Sequence, residues 1–197
     1  MAVVLGLALG AAAASRAGEE PPRSWHFNVL LDGKYIGEHD FLVGHHGDEV
    51  WVDSVAHFKV MLAFITVYTY EHHNHEVWRD GCLTQVTSRT DDNGHQAFVQ
   101  GTRRAATFEV ESVGGAARLP ACVRSFAYWD RDLLGDPRLL NTQSGEYQAV
   151  TLTALGAQRY ALRGAKLAID LWYSDTGEWV ALESKLDSGR TLRYELH

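Results

Sequence analysis

Apolar side chains recur at every second position through most of this chain, and that constrains it more than any other feature. Trp25, Phe27, Val29 and Leu31 share one parity, and Asp32-Gly33 follows at once. Period-two alternation places alternate side chains on opposite faces of a strand, and Asp-Gly or Asn-Gly supplies the positive φ angles of a two-residue hairpin turn. The pattern repeats over Lys34–Val43, Glu49–Val60 and Cys82–Thr90, with further turns at Asp80-Gly81 and Asn93-Gly94. Shorter strands are predicted at Gln96–Gln100 and Thr107–Val113, where Gly114-Gly115 ends the series. A second series is predicted over Tyr147–Leu155, Gln158–Leu162, Lys166–Tyr173, Glu178–Leu186 and Arg190–Leu196. Nothing alternates strand with helix, so the fold class is all-β and antiparallel. About eleven strands are expected, in a meander that closes into a barrel or a strongly curved half-barrel, because closure removes exposed edges. A two-sheet sandwich is the alternative.

Two segments depart from the alternation. Met61–Ile65 is continuously apolar and reads as a bend, a buried connection or an exposed apolar rim. Leu119–Asn141 carries Phe126, Tyr128 and Trp129 between prolines without a strand period. It is expected to hold one short helix within Ser125–Leu134 and to cap a barrel end.

The densest chemistry lies in Tyr68–Trp78, where three of the ten histidines of the chain sit among carboxylates and aromatics. As a strand it divides by parity. Thr69, Glu71, His73 and His75 form one face, suited to solvent. Tyr70, His72, Asn74, Glu76 and Trp78 form the other, aromatic at its ends and polar between them. His39 is likewise a polar group on an otherwise apolar strand face.

The remaining bounds come from composition. With 197 residues, 46% hydrophobic and 22% charged, the chain suits one globular domain. A net charge of −7 gives no general attraction to nucleic acid. Residues 1–17 resemble a secretory signal peptide: a short apolar run, small residues, and a cleavage site after Ala17. The positive leading region is missing, and a frayed Ala-rich helix is the alternative. Export to the periplasm or beyond is therefore expected, with residues 18–197 as the mature domain and no later run apolar enough to cross a bilayer. In that compartment Cys82 and Cys122 are expected to form a disulfide, closing a loop of roughly 40 residues and adding about 4 kcal/mol of stability. Two buried free thiols are the alternative.

Trp25-x-Phe-x-Val-x-Leu-Asp-Gly with His39, Tyr68-x-Tyr-x-His72 through Glu76-x-Trp78-x-x-Gly-Cys82, Leu119-Pro-x-Cys122, Phe126-Ala-Tyr-Trp129 and Ile169-Asp-Leu-Trp-Tyr173 carry a resemblance. Together they resemble an uncharacterised bacterial family of exported proteins defined as a domain of unknown function, over nearly the whole mature chain. More loosely, the chain is similar to lipoprotein-carrier half-barrels, which implies acyl chains held in a concave β-surface. The family implies no catalytic role. It makes His39, His72, Glu76, Trp78, Cys82 and Cys122 motif positions.

Three readings of the candidate site follow. A ligand pocket would use Trp25, Phe41, Tyr70 and Trp78 as walls and His39, His72 and Glu76 to orient a polar head, with a hydrophobic small molecule or lipid as partner. An enzyme would pair His72 or His39 with Glu76 as acid and base. For one metal ion, His72 and Glu76, about 13 Å apart along an extended strand, are too far from each other unless the strand bulges or other strands contribute. An interaction protein would use Met61–Ile65 as its contact patch. Binding is the leading reading and enzyme activity the less favoured one. No metal or cofactor is assigned, since HEXXH, paired CxxC and phosphate-loop patterns are absent.

Overall fold

The computed structural model describes residues 20–156 and 158–197. The expected leader, residues 1–17, lies outside them. Fourteen strands form one antiparallel sheet. The first arm runs β1 (Arg23–Leu31), β2 (Lys34–His46), β3 (Glu49–Leu62), β4 (Ile65–Arg79), β5 (Cys82–Asp92), β6 (His95–Arg104), β7 (Thr107–Ser112) and β8 (Gly115–Pro120). The second runs β9 (Arg138–Leu140), β10 (Tyr147–Gly156), β11 (Arg159–Gly164), β12 (Leu167–Tyr173), β13 (Trp179–Lys185) and β14 (Thr191–Leu196). Every hairpin pairs with its sequence neighbour, and β1 pairs with β14, from Phe27↔Leu196 to Leu31↔Leu192. The two arms thus become one continuous sheet, which excludes the sandwich.

The turns form where their dipeptides demand it. Asp32, Gly33, Asp80, Gly81, Asn93 and Gly94 all have positive φ, the requirement of a two-residue turn that matches strand twist. Burial follows parity: in β1, Trp25, Phe27, Val29 and Leu31 are buried. Their faces join a core that includes Phe58, Leu83, Phe108, Leu171 and Trp179.

Three expectations are corrected. The strand count is fourteen rather than about eleven: Gly114-Gly115 turns into β8 instead of ending the series, and the three-residue β9 lies inside the segment expected to be irregular. The helix expected in Ser125–Leu134 reduces to a 3₁₀ turn over Arg131–Gly135, N-capped by Asp130. The sheet is not closed by pairing: β8 and β9 are its edges. Pro120 ends β8 and Pro137 precedes β9, and a proline has no N–H to give a closing ladder. Of the three readings of Met61–Ile65, the structure matches the exposed apolar rim, with a tight turn at Ala63-Phe64. The strands run on through Leu62 and from Ile65, and Phe64 stands 97% exposed at the tip.

The cap crosses between the two arms. Leu83 in β5 donates its N–H to Val123 O at 2.8 Å, and Leu140 in β9 donates to Arg124 O at 2.7 Å. The Cys82–Cys122 disulfide pins the cap where it leaves β8. Its two half-cystines lie 40 residues apart in sequence. Among the described residues no helix is long and apolar enough to cross a membrane.

Candidate functional site

Strand register decides which polar groups meet. Phe27, His39, Ala56, His72 and Thr90 are successive partners across β1 to β5 and form one row of the sheet. His39 and His72 therefore flank Ala56, whose single methyl leaves space between the two rings. One step along, Phe41, Ser54, Asn74 and Ser88 form the next row, and Val43, Val52, Glu76 and Val86 the one after. Parity turns these side chains inward, into a cavity of about 260 Å³.

Each polar group has its own support. His72 Nδ1 lies 2.8 Å from Thr90 Oγ1, its cross-strand partner. His39 Nδ1 lies 3.3 Å from Tyr194 Oη, on the strand that joins the two arms. Glu76 accepts from Trp78 Nε1 at 2.9 Å, from Asn74 Nδ2 at 3.0 Å and from the Ser125 hydroxyl of the cap. His39 Nε2 and Asn74 Oδ1 are buried and have no protein partner.

Burial sets the charge states. It lowers the pKa of His39 to about 3 and that of His72 to about 4, with His72 and His73 respectively adding smaller repulsions. Both rings are neutral at pH 7. Burial raises the Glu76 pKa, and its three hydrogen bonds oppose that shift. Tyr70 and Tyr194 are also raised by burial, so their hydroxyls stay protonated.

His39, Phe41, Tyr70, His72 and Glu76 thus line one cavity. Trp25 and Trp78 do not. Each is 1% exposed, and they border a separate hollow of about 450 Å³ that also meets Arg23, Arg79 and Arg131. Both tryptophans lie on the correct strand face. Trp78 lies one step beyond Glu76 along β4, whereas Trp25, the cross-strand partner of Phe41, shares the row of Phe41, Ser54 and Asn74. Trp129 of the cap lines both spaces and packs edge-on against Trp78. Trp78 serves the site indirectly, by holding Glu76. His72 and Glu76 share the cavity and bond to different partners there. His73 and His75 point outward, and His75 pairs with Asp53 at 2.7 Å. Among the described residues no three His, Cys, Asp or Glu side chains gather as a metal site.

Sequence reasoning missed the far wall. Phe126, Tyr128 and Trp129 of the cap, Leu167 and Ile169 of β12, and Asn141–Gln143 complete the cavity. The cap aromatics signalled only that they needed cover.

The model of a domain of unknown function, DUF6134, matches residues 27–197. The chain belongs to the DUF6134 family. No curated protein matches it. Among solved structures it is similar to a beta-barrel-like protein of the domain of unknown function DUF1849 from Brucella abortus, with a TM-score of 0.65 at 8% identity. That match covers 90% of this chain and 96% of the other. At such identity the likeness concerns the fold alone.

Proposed function

We propose that this DUF6134 protein binds a small, mainly apolar and uncharged ligand in its interior cavity, as an exported component of the bacterial envelope. One observation carries the reading: an aromatic and aliphatic cavity whose polar lining is almost wholly neutral. Apolar walls with a few orienting polar groups are the usual make-up of a small-molecule site. Phe41, Phe126, Trp129, Leu167 and Ile169 supply the walls, and His39, His72, Asn74, Tyr70 and Tyr194 supply hydrogen bonds. No lysine or arginine lines the space. A free carboxylate would find no cation there and would meet Glu76, so an alcohol, ester or amide head suits the site better than a fatty acid anion. About 260 Å³ lies just under the roughly 300–1,000 Å³ of pockets for drug-sized molecules, which suits a short chain or a single ring. Export is supported by the leader-like residues 1–17 and by the disulfide, since disulfides persist in oxidising compartments.

The test is calorimetric titration at pH 7 with a primary alcohol, an amide and a carboxylate of matched chain length. The neutral compounds should bind at least about tenfold more tightly than the carboxylate, in keeping with the cost of burying an unpaired charge. Failure of the whole set to bind would sink the binding reading. Equal binding of the carboxylate would refute the neutral-head preference alone.

A further inference from the structure

The most exposed apolar surface lies away from the cavity, at the β3–β4 hairpin tip. The last pair between β2 and β3 is Gly37↔Phe58, and the last between β4 and β5 is Tyr70↔Asp92. Beyond them β3 and β4 continue as a two-stranded ribbon through Val60↔Tyr68, Met61↔Thr66 and Leu62↔Ile65. Neither strand has an outer neighbour there, although Asn93 N–H still donates to Thr69 O. Phe64 is 97% exposed, Leu62 71%, Ile65 70%, and Met61 and Val67 47% each. Val60 to Tyr70 contains no ionisable side chain except the two tyrosines.

The turn itself keeps apolarity at a conformational cost. Three tight turns of this arm use Asp32-Gly33, Asp80-Gly81 and Asn93-Gly94, while the β6–β7 turn, like this one, places an alanine, Ala105, at positive φ. Here Ala63 adopts φ 53, a conformation that favours glycine or asparagine, with Phe64 beside it.

We propose that the tip, Met61–Val67, is a shallow insertion finger for a lipid bilayer of neutral net charge. Three arguments select a bilayer over a protein partner. Met61 and Leu62 are consecutive in a strand and point to opposite faces, yet both are exposed, so the apolar surface surrounds the ribbon. A docking groove covers one face, whereas a bilayer covers all of them. Second, five side chains fall far short of the roughly 20–30 residues per partner of a stable protein interface. Third, the chain carries net charge −7, and residues 57–71 hold a single lysine, Lys59, and no arginine, so an anionic surface would repel it. The unpaired N–H and C=O groups along the ribbon edges limit the depth, since such groups are costly in hydrocarbon. Insertion therefore stops at the interface, about 5–10 Å deep, with Tyr68 at the level of the headgroups. The finger is continuous with the cavity wall, as Tyr70 lines the cavity five residues from Ile65. The proposal does not depend on ligand binding.

Flotation of the full chain with phosphatidylcholine vesicles is the test, paired with Phe64→Asp. The parent should float with the vesicles, and the variant should partition about tenfold less or weaker still, the loss of one buried aromatic contact. Because residue 64 is fully exposed, the variant should fold as the parent does. Phe64→Trp reads insertion at the tip directly: its emission, minus that of the parent, should shift to the blue on adding vesicles. Three results overturn the proposal. One is that the parent does not float. Another is flotation unchanged in Phe64→Asp with no blue shift, meaning contact through another part of the chain. The third is self-association in sedimentation velocity that Phe64→Asp abolishes without any vesicle binding, which would assign the tip to a second copy.

Discussion

The two faces of β4 carry the same residue types and come to different chemistry. Inward lie His72, Asn74 and Glu76; outward lie Glu71, His73 and His75. On the inner face burial pulls His72 down to about 4 and pushes Glu76 up, and His72 Nδ1, Asn74 Nδ2 and both Glu76 oxygens have named partners. On the outer face His75 and Asp53 pair with side chains 46% and 49% exposed. A histidine-rich run is therefore two halves with different duties. The inner half has low tolerance and can serve a ligand, while the outer half is bathed in water that screens it. Residue type proposes a role, and the dielectric around the group disposes of it.

The largest break in that comparison should come from Glu76. Glu76→Ala leaves Trp78 Nε1 and Asn74 Nδ2 buried without their acceptor and opens a void against Ser125. A cost of about 3 kcal/mol in urea unfolding is expected, as for other buried charge-assisted networks cut on one side. Glu76→Gln keeps one acceptor oxygen and should cost about half as much. A loss under about 1 kcal/mol for the alanine variant would mean that the inner face is wetter than its burial implies.

Acid sharpens the comparison next. Below about pH 6.5 an unfolded chain protonates His39 and His72, whereas the folded chain resists until about pH 3 and 4. The unfolded state then binds more protons, so stability falls as pH drops through that window and levels off once the folded rings protonate. For His72 alone the loss is on the order of 3 kcal/mol. Glu76 acts in the opposite sense. Its raised pKa gives stability that is full below the ordinary carboxylate range and is lost as pH rises. His72→Gln, which keeps a polar group for Thr90, should therefore lose less stability than the parent between pH 6.5 and 4. Equal slopes in denaturant titrations across that window would remove His72 as a source of the effect.

Parity made the division of β4 legible in the sequence, and the Asp-Gly and Asn-Gly dipeptides made its neighbours legible. Depth was not legible. Trp78 has the right face but lies a step beyond the cavity, and Trp25 shares a row with Phe41 yet borders the other hollow, because alternation reports direction and says nothing of where the cap divides the interior. Nor could alternation find β8, whose Gly115–Pro120 run is mostly exposed and has no apolar period, or β9, which has three residues. Ser125 was invisible for another reason. Its bond to Glu76 spans 49 positions and exists because the disulfide and the Arg124–Leu140 contact hold the cap in place. Long-range polar contacts leave no periodic trace.

The smallest expected effect is the control that gives the others meaning. Asp53 and His75 are cross-strand partners on the outer face, and their 2.7 Å contact is as short as any on the inner face. Geometry alone would rank it beside His72–Thr90. Solvent argues otherwise: both groups are about half exposed, and holding two mobile side chains together offsets most of the Coulomb gain. His75→Ala should cost about 0.5 kcal/mol or less, and a double-mutant cycle with Asp53→Ala should show coupling of the same order. Raising the salt concentration from about 0.05 to 0.5 M should erase the Coulombic part of that coupling, which exists only where the imidazole is protonated, since the screening length contracts to a few ångströms, while leaving the Glu76→Ala cost nearly unchanged. A coupling above about 1.5 kcal/mol that survives salt would show the outer face to be shielded as well. The contrast between the two faces would then rest on hydrogen-bond partners rather than on water.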